Sequence, residues 1–142
     1  MQSMAQSDVQ DAARPIDLYG HLVDARDWEG LAAIFTSNAT IEWVNGKANT
    51  KLTIAETLPM LAAYDHPSAH LATNVLTEVI DQDTVRVTSK GLAVESDGRA
   101  WSVTYNDVVV RTSSGWQIRQ RVVHERPSRA REERSEKKGS RR

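Results

Sequence analysis

A chain of 142 residues with 39% hydrophobic content is long enough for one domain around one core and too short for two. It contains no cysteine, which excludes disulfides, thiolate nucleophiles and zinc-thiolate sites and leaves oxygen, imidazole or an oxygen-ligated metal for any chemistry. The formal charge of −1 is unevenly spread, because residues 127–142 carry seven Lys or Arg against three Glu and residues 1–126 carry eleven against sixteen acidic side chains.

The predicted elements begin with a helix. Val9, Ala12, Ala13, Ile16, Tyr19, Leu22 and Val23 recur at three- and four-residue spacing, the period of one buried helical face. Pro15 predicts that this helix starts or restarts beside it. After Asp27 a second, short helix carries Trp28, Leu31, Ile34 and Phe35, and Ala39 to Val44 reads as a strand ended by Asn45-Gly46. A third helix begins at Thr53, where Thr53-Ile54-Ala55-Glu56 has capping-box form; Leu58, Leu61 and Ala62 give its apolar stripe, and Pro59 predicts a kink or a shifted start.

From His70 the period changes to two. Polar turns at Asp81-Gln82-Asp83, Ser96-Asp97-Gly98 and Ser113-Ser114-Gly115 divide four long strands, an antiparallel meander. Helices followed by a curved sheet predict an α+β layer in which the helices cover one sheet face. The expected domain spans residues 1–126. Residues 127–142, PSRAREERSEKKGSRR, have almost nothing apolar to bury and are expected to be a disordered basic tail. The tail has no interleaved aromatics and its glutamates break the basic run, so nucleic acid is not the expected partner. There is no apolar run of about 18 residues for a membrane span, and Met1 to Arg14 lacks the basic-then-apolar layout of a secretory signal, so a cytoplasmic protein without a membrane partner is expected.

Four polar residues stand where the pattern wants apolar ones: Tyr19, Asp24, His70 and Asp107. Each would be costly to bury without a partner. Asp24 closes the first helix, where the helix dipole disfavours a negative charge, so it needs a compensating group. His70 is the candidate, since a carboxylate that holds an imidazole fixes its tautomer and strengthens it as a base; a purely structural histidine is the alternative. Asp107 lies on the same strand face as Trp101, Val103, Tyr105 and Val109. Such an inward carboxylate either takes up a proton and becomes a hydrogen-bond donor, or is satisfied by a backbone amide or an arginine. In the preceding strand Val85, Val87, Gly91 and Ala93 share a face that ends in Glu95, and these small residues leave room for a pocket. In the last strand Trp116, Ile118 and Val122 are expected inward, with His124 in phase but solvated at the strand's end. The four histidines show no H-x-x-x-H or H-E-x-x-H spacing and no phosphate-binding glycine loop is present, so neither a metal nor a nucleotide cofactor is expected.

Leu18-Tyr19-Gly20-His21-Leu22-Val23-Asp24-Ala25-Arg26-Asp27-Trp28-Glu29-Gly30-Leu31, then Ala39-Thr40-Ile41-Glu42-Trp43, Ser68-Ala69-His70-Leu71-Ala72-Thr73-Asn74 and the closing Gly115-Trp116-Gln117-Ile118 together resemble the SnoaL-like, nuclear-transport-factor-2-like superfamily over about residues 8–126. The resemblance implies a cone-shaped α+β barrel, a curved, mostly antiparallel sheet wrapped around three N-terminal helices with an internal pocket. Within the superfamily the pattern is most similar to the scytalone-dehydratase-like enzymes, in which an aspartate matched by Asp24 orients a proton-abstracting histidine matched by His70. Tyr19 matches a tyrosine five residues before that aspartate. Trp43 stands where scytalone dehydratase has a tyrosine, and Glu95 stands at the place of its second pocket histidine. Against ketosteroid isomerase, a member of the same superfamily, Tyr19 and Asp107 match the oxyanion-hole pair, while its catalytic base falls on Trp43.

The resulting expectation is a cofactor-independent lyase acting by dehydratase-type elimination on a hydrophobic cyclic or polyketide- or steroid-like molecule. His70, Asp24, Tyr19 and Asp107 are the expected catalytic residues, and Trp43, Glu95, Trp101, Tyr105 and Asn74 the expected substrate contacts. The alternatives are a non-catalytic ligand-binding or dimerisation module and a ketosteroid-isomerase-like proton transferase. A homo-oligomer, dimer or trimer, is what the resemblance suggests.

Overall fold

A computed structural model describes residues 4–46, 48–67 and 69–126, and the expected basic tail at 127–142 lies outside them. Helix α1 (Gln6–Asp24) buries Ala12, Ile16, Tyr19 and Val23 of the predicted stripe together with Pro15 and Gly20, while Val9, Ala13 and Leu22 flank it half-buried. It runs on through Pro15 instead of starting there, because the preceding turns are already formed and the proline removes a single N–H from the ladder. Helix α2 (Trp28–Ala33) is capped by Asp27, whose Oδ1 accepts from the Gly30 amide at 2.9 Å. Helix α3 (Ile54–Ala63) starts at its capping box: the Glu56 amide donates to Thr53 Oγ1 at 3.2 Å and the Thr53 amide donates back to Glu56 Oε1 at 3.1 Å. A cap of this kind stabilises a helix by about 1 kcal/mol, enough to set the start while Pro59 sits inside the helix.

Six strands complete the fold: β1 (Phe35–Asn45), β2 (Ala48–Thr53), β3 (Ala69–Asp81), β4 (Thr84–Val94), β5 (Ala100–Thr112) and β6 (Gly115–Arg126). They form one curved, unclosed sheet in the order β2-β1-β6-β5-β4-β3, with β1 parallel to β6 and every other pair antiparallel. Strand β2, absent from the sequence reading, has little to betray it: an exposed edge strand needs no apolar alternation, and Leu52 is its one large aliphatic residue.

Alternation on β4 and β5 places Val85, Val87, Ser89, Gly91 and Ala93, and then Val103, Tyr105, Asp107 and Val109, on the inner face. Strand β6 departs from strict alternation. Val108 pairs with Gln120 but Val109 pairs with Ile118, so an extra residue bulges out of β6. A one-residue slip sends every later side chain to the opposite face. Ile118 and Arg121, three apart, are therefore both fully buried, and Val123 follows them inward. The expected inward Val122 is corrected by this bulge, which also shifts the phase assigned to His124; Arg121, Val123 and Glu125 share the inner phase instead.

The core joins Ile16 and Val23 of α1 to Leu31, Ile41, Val85, Val87, Val109 and Ile118, all essentially inaccessible. Burial of each such side chain contributes about 1.5–3 kcal/mol, which secures the helices against the lower half of the sheet face and leaves its other end open. Among the described residues no helix is long and apolar enough to cross a membrane.

Candidate active site

The open end begins where α1 meets β3. Gly20 approaches so closely that a Cβ there would overlap the His70 carbonyl oxygen. One turn further on, Asp24 is thereby brought to the start of β3, where its Oδ2 accepts from the His70 amide at 3.1 Å and its Oδ1 accepts from His70 Nδ1 at 2.7 Å. Two N–H groups from one residue compensate a carboxylate at a helix C-terminus. With Nδ1 carrying the shared proton, Nε2 is the ring nitrogen that can accept another. The His66 ring stands edge-on to His70 at 6.0 Å and is itself tied by Nε2 to the Leu61 carbonyl, so a second imidazole buttresses the first.

Replacing Gly20 with Ala is expected to destabilise the fold by about 1–3 kcal/mol, because the overlapped atom is backbone and cannot swing aside. The gain in helix propensity, about 1 kcal/mol, offsets only part of it. Urea unfolding of Gly20→Ala beside the parent measures the difference, and an equally stable variant would contradict the close approach.

The inner sheet face supplies the rest. Gly91 leaves the gap that the Tyr105 ring fills, since a Cβ there would overlap Tyr105 and Val103. Tyr105 lies 6.1 Å from Tyr19 across the space between sheet and helix. One register step deeper, Asp107 accepts from Arg121 Nε at 2.7 Å and from Nη2 at 3.0 Å. Both residues are wholly buried, and the guanidinium carbon sits 4.2 Å from the Tyr19 ring centre and 4.0 Å from that of Tyr105. Burial works against the Arg121 charge, but the Asp107 charge and hydrogen bonds more than reverse that, and its pKa lies above the ordinary arginine range. Of the two readings open for Asp107, a proton-bearing donor or a carboxylate satisfied by a backbone amide or an arginine, the geometry is the arginine one: both its oxygens accept from Arg121, and Asp107 does not line the cavity where a catalytic contact was expected.

Above this pair opens a cavity of about 500 Å³. Tyr19, Trp43, His70, Glu95, Trp101 and Tyr105 all line it, so six of the nine residues singled out from the sequence meet at one place. Asp24 stands behind His70. Asn74 is elsewhere, at a bulge in β3 with φ of 53°, where its side chain accepts from Thr73 Oγ1. Glu95 accepts from Trp101 Nε1 at 3.0 Å, which holds acid and indole side by side. Asp65, His66 and Glu125 also line the cavity and were not anticipated. Glu125 and Arg121 were hidden by the β6 bulge, which no residue pattern announces, and His66 lies in a loop without periodicity. Among the described residues no group of three or more His, Asp or Glu is placed to hold a metal ion.

Burial pushes the phenols of both Tyr19 and Tyr105 above their ordinary range, with the Arg121 charge opposing in each case. Both hydroxyls keep their protons at neutral pH and can serve as hydrogen-bond donors. A raised native pKa means that the unfolded chain loses these protons first as pH rises, so the stabilisation is complete below about pH 10 and declines above it. The urea midpoint is expected to fall between pH 9.5 and 11.5, and less steeply in Tyr105→Phe; parallel profiles would contradict this.

A family model described as a SnoaL-like domain matches residues 5–122. No curated protein sequence matches the chain. Among solved structures, a protein of unknown function with a cystatin-like fold from Nostoc punctiforme superposes with a TM-score of 0.76 at 19% identity, covering 89% of this chain and 97% of that one. An NTF2-like protein with a cystatin-like fold from Novosphingobium aromaticivorans gives 0.72 at 20% identity, over 89% and 88% of the two chains. A scytalone dehydratase-like protein from the same organism gives 0.69 at 18% identity, over 84% and 85%. At these identities the likeness establishes the fold.

Proposed function

From the premise that the chain belongs to the SnoaL-like domain family, we propose that it is a cofactor-independent lyase that eliminates water from a hydrophobic cyclic or polyketide-like β-hydroxy carbonyl compound. The observation that carries this reading is the 2.7 Å hydrogen bond between His70 Nδ1 and Asp24 in the wall of an aromatic-lined cavity. His70 Nε2 takes the proton next to the carbonyl while Asp24 stabilises the imidazolium that forms. The electrons of the broken C–H bond form the new C=C bond, the β C–O bond breaks, and the proton on His70 passes to the departing hydroxyl, which leaves as water. The Tyr19 hydroxyl donates to the developing oxyanion, a part suited to a phenol that stays protonated. Trp43, Trp101 and Tyr105 enclose the apolar body of the substrate.

Two departures favour a second reading, a ligand-binding module with the same fold: Trp43 offers no phenol oxygen, and Glu95 stands where a second histidine would act. An isomerase of the ketosteroid type draws less support, because Asp107 is committed to Arg121. Cyclic β-hydroxy ketones incubated with the protein in D₂O separate the readings. A lyase produces enone absorbance, and deuterium enters the α position of recovered substrate; binding without either change would leave the module. Leu71, Leu76, Val79 and Ile80, exposed on β3, make a homo-oligomer part of the proposal.

A further inference from the structure

The rim of the cavity is ordered by the sheet register. Trp43 on β1 pairs with Val123, so the next inward residue on β6 is Glu125. Glu125 faces Val103, and the next inward residue on β5 is Trp101; Trp101 faces Ala93, and two residues on, just past the end of β4, stands Glu95; Ala93 in turn faces His70 on β3. From β1 across to β3 the cavity edge therefore reads indole, carboxylate, indole, carboxylate, imidazole, four of them on strands and Glu95 at the end of β4, and all five residues line the cavity. Asp65 adds a third carboxylate from the segment after α3, and none of the described lining residues is Lys or Arg.

We propose that the substrate carries a cationic group, a protonated or quaternary amine, seated at this rim between the indoles of Trp43 and Trp101 and the carboxylates of Glu95 and Glu125. The indole face is the strongest cation–π surface among the side chains, and aromatic walls combined with carboxylates are a general arrangement for holding ammonium groups. The Trp101 Nε1 bond to Glu95 fixes both groups toward one point. An anionic ligand would meet like charges at the rim, and a neutral one would cover carboxylates without replacing their water. The buried cation Arg121 does not line the cavity, and its charge is balanced by Asp107 through Nε and Nη2. This inference rests on the same cavity as the proposed reaction and adds the charge of what it takes.

Tryptophan fluorescence of the full-length protein, titrated with benzyltrimethylammonium, tests it against the uncharged carbon isostere neopentylbenzene and the anion phenylacetate. The cation is expected to bind at least tenfold more tightly than the isostere, with phenylacetate not saturating, and Glu125→Gln is expected to remove most of that preference. Equal binding of cation and isostere, no binding of the cation, or an unchanged preference in Glu125→Gln would each overturn the proposal. The measurement needs no turnover. Elimination from neutral substrates without cation preference would remove this inference and leave the lyase, whereas cation preference in a protein that eliminates nothing would do the reverse.

Discussion

Replacing His70 with Ala is expected to lower kcat for elimination by about 10²- to 10⁴-fold with little change in KM, the range supplied by one positioned general base. The apolar and aromatic walls that bind substrate remain in place, so the loss falls on the chemical step. Asp24→Asn should lose activity by a similar factor, since an amide can hold the ring but cannot balance the charge of an imidazolium. Asp24 also accepts from the His70 amide, so a variant there could act by loosening the start of β3 instead of by altering the base. A parent-like urea midpoint in Asp24→Asn assigns its loss to the base and a lowered one to the start of β3, while added imidazole tests His70 itself. Imidazole should restore part of the activity to His70→Ala, where a space is left for it, and none to Asp24→Asn. Full activity in His70→Ala would remove the assigned base and with it the proposed mechanism.

The part of this site that could be read from the sequence is the part carried by regular elements. Strict alternation along β5 placed Trp101, Tyr105 and Asp107 on one face, and the Thr53–Glu56 box located α3 despite Pro59. Asp24 and His70 are 46 positions apart. Each was visible as a polar residue at an apolar position, but their contact depends on Gly20, whose missing side chain is a feature of packing and not of pattern. The partner of Asp107 was hidden for a different reason. Arg121 looks outward-facing when alternation is carried along β6 from Trp116, and only the extra residue before it turns it inward. A long cationic side chain in a strand reads by default as solvated surface, and a bulge is a property of the pairing, not of either strand alone.

That buried pair should have the largest effect on stability. Arg121 and Asp107 are exposed by 1% and 0% and share two hydrogen bonds. Removal of either partner leaves a charge in the core with nothing to oppose it, and Arg121→Met or Asp107→Leu is expected to cost about 3–5 kcal/mol. A domain of this size has about 5–15 kcal/mol in total, so each single variant should be folded only marginally at 25 °C. The double variant, Arg121→Met with Asp107→Leu, should regain most of the loss, because an apolar pair of similar volume needs no desolvated charge. Urea unfolding of the four proteins forms the cycle; single losses that simply add in the double variant would mean that the two side chains do not act as a pair. The double variant also bears on the site. The guanidinium lies against both Tyr19 and Tyr105, and its charge opposes the effect of burial on each phenol. A protein that regains stability but loses elimination would locate the function of the ion pair in the two hydroxyls above it. One that regains both would leave the pair a role in packing alone.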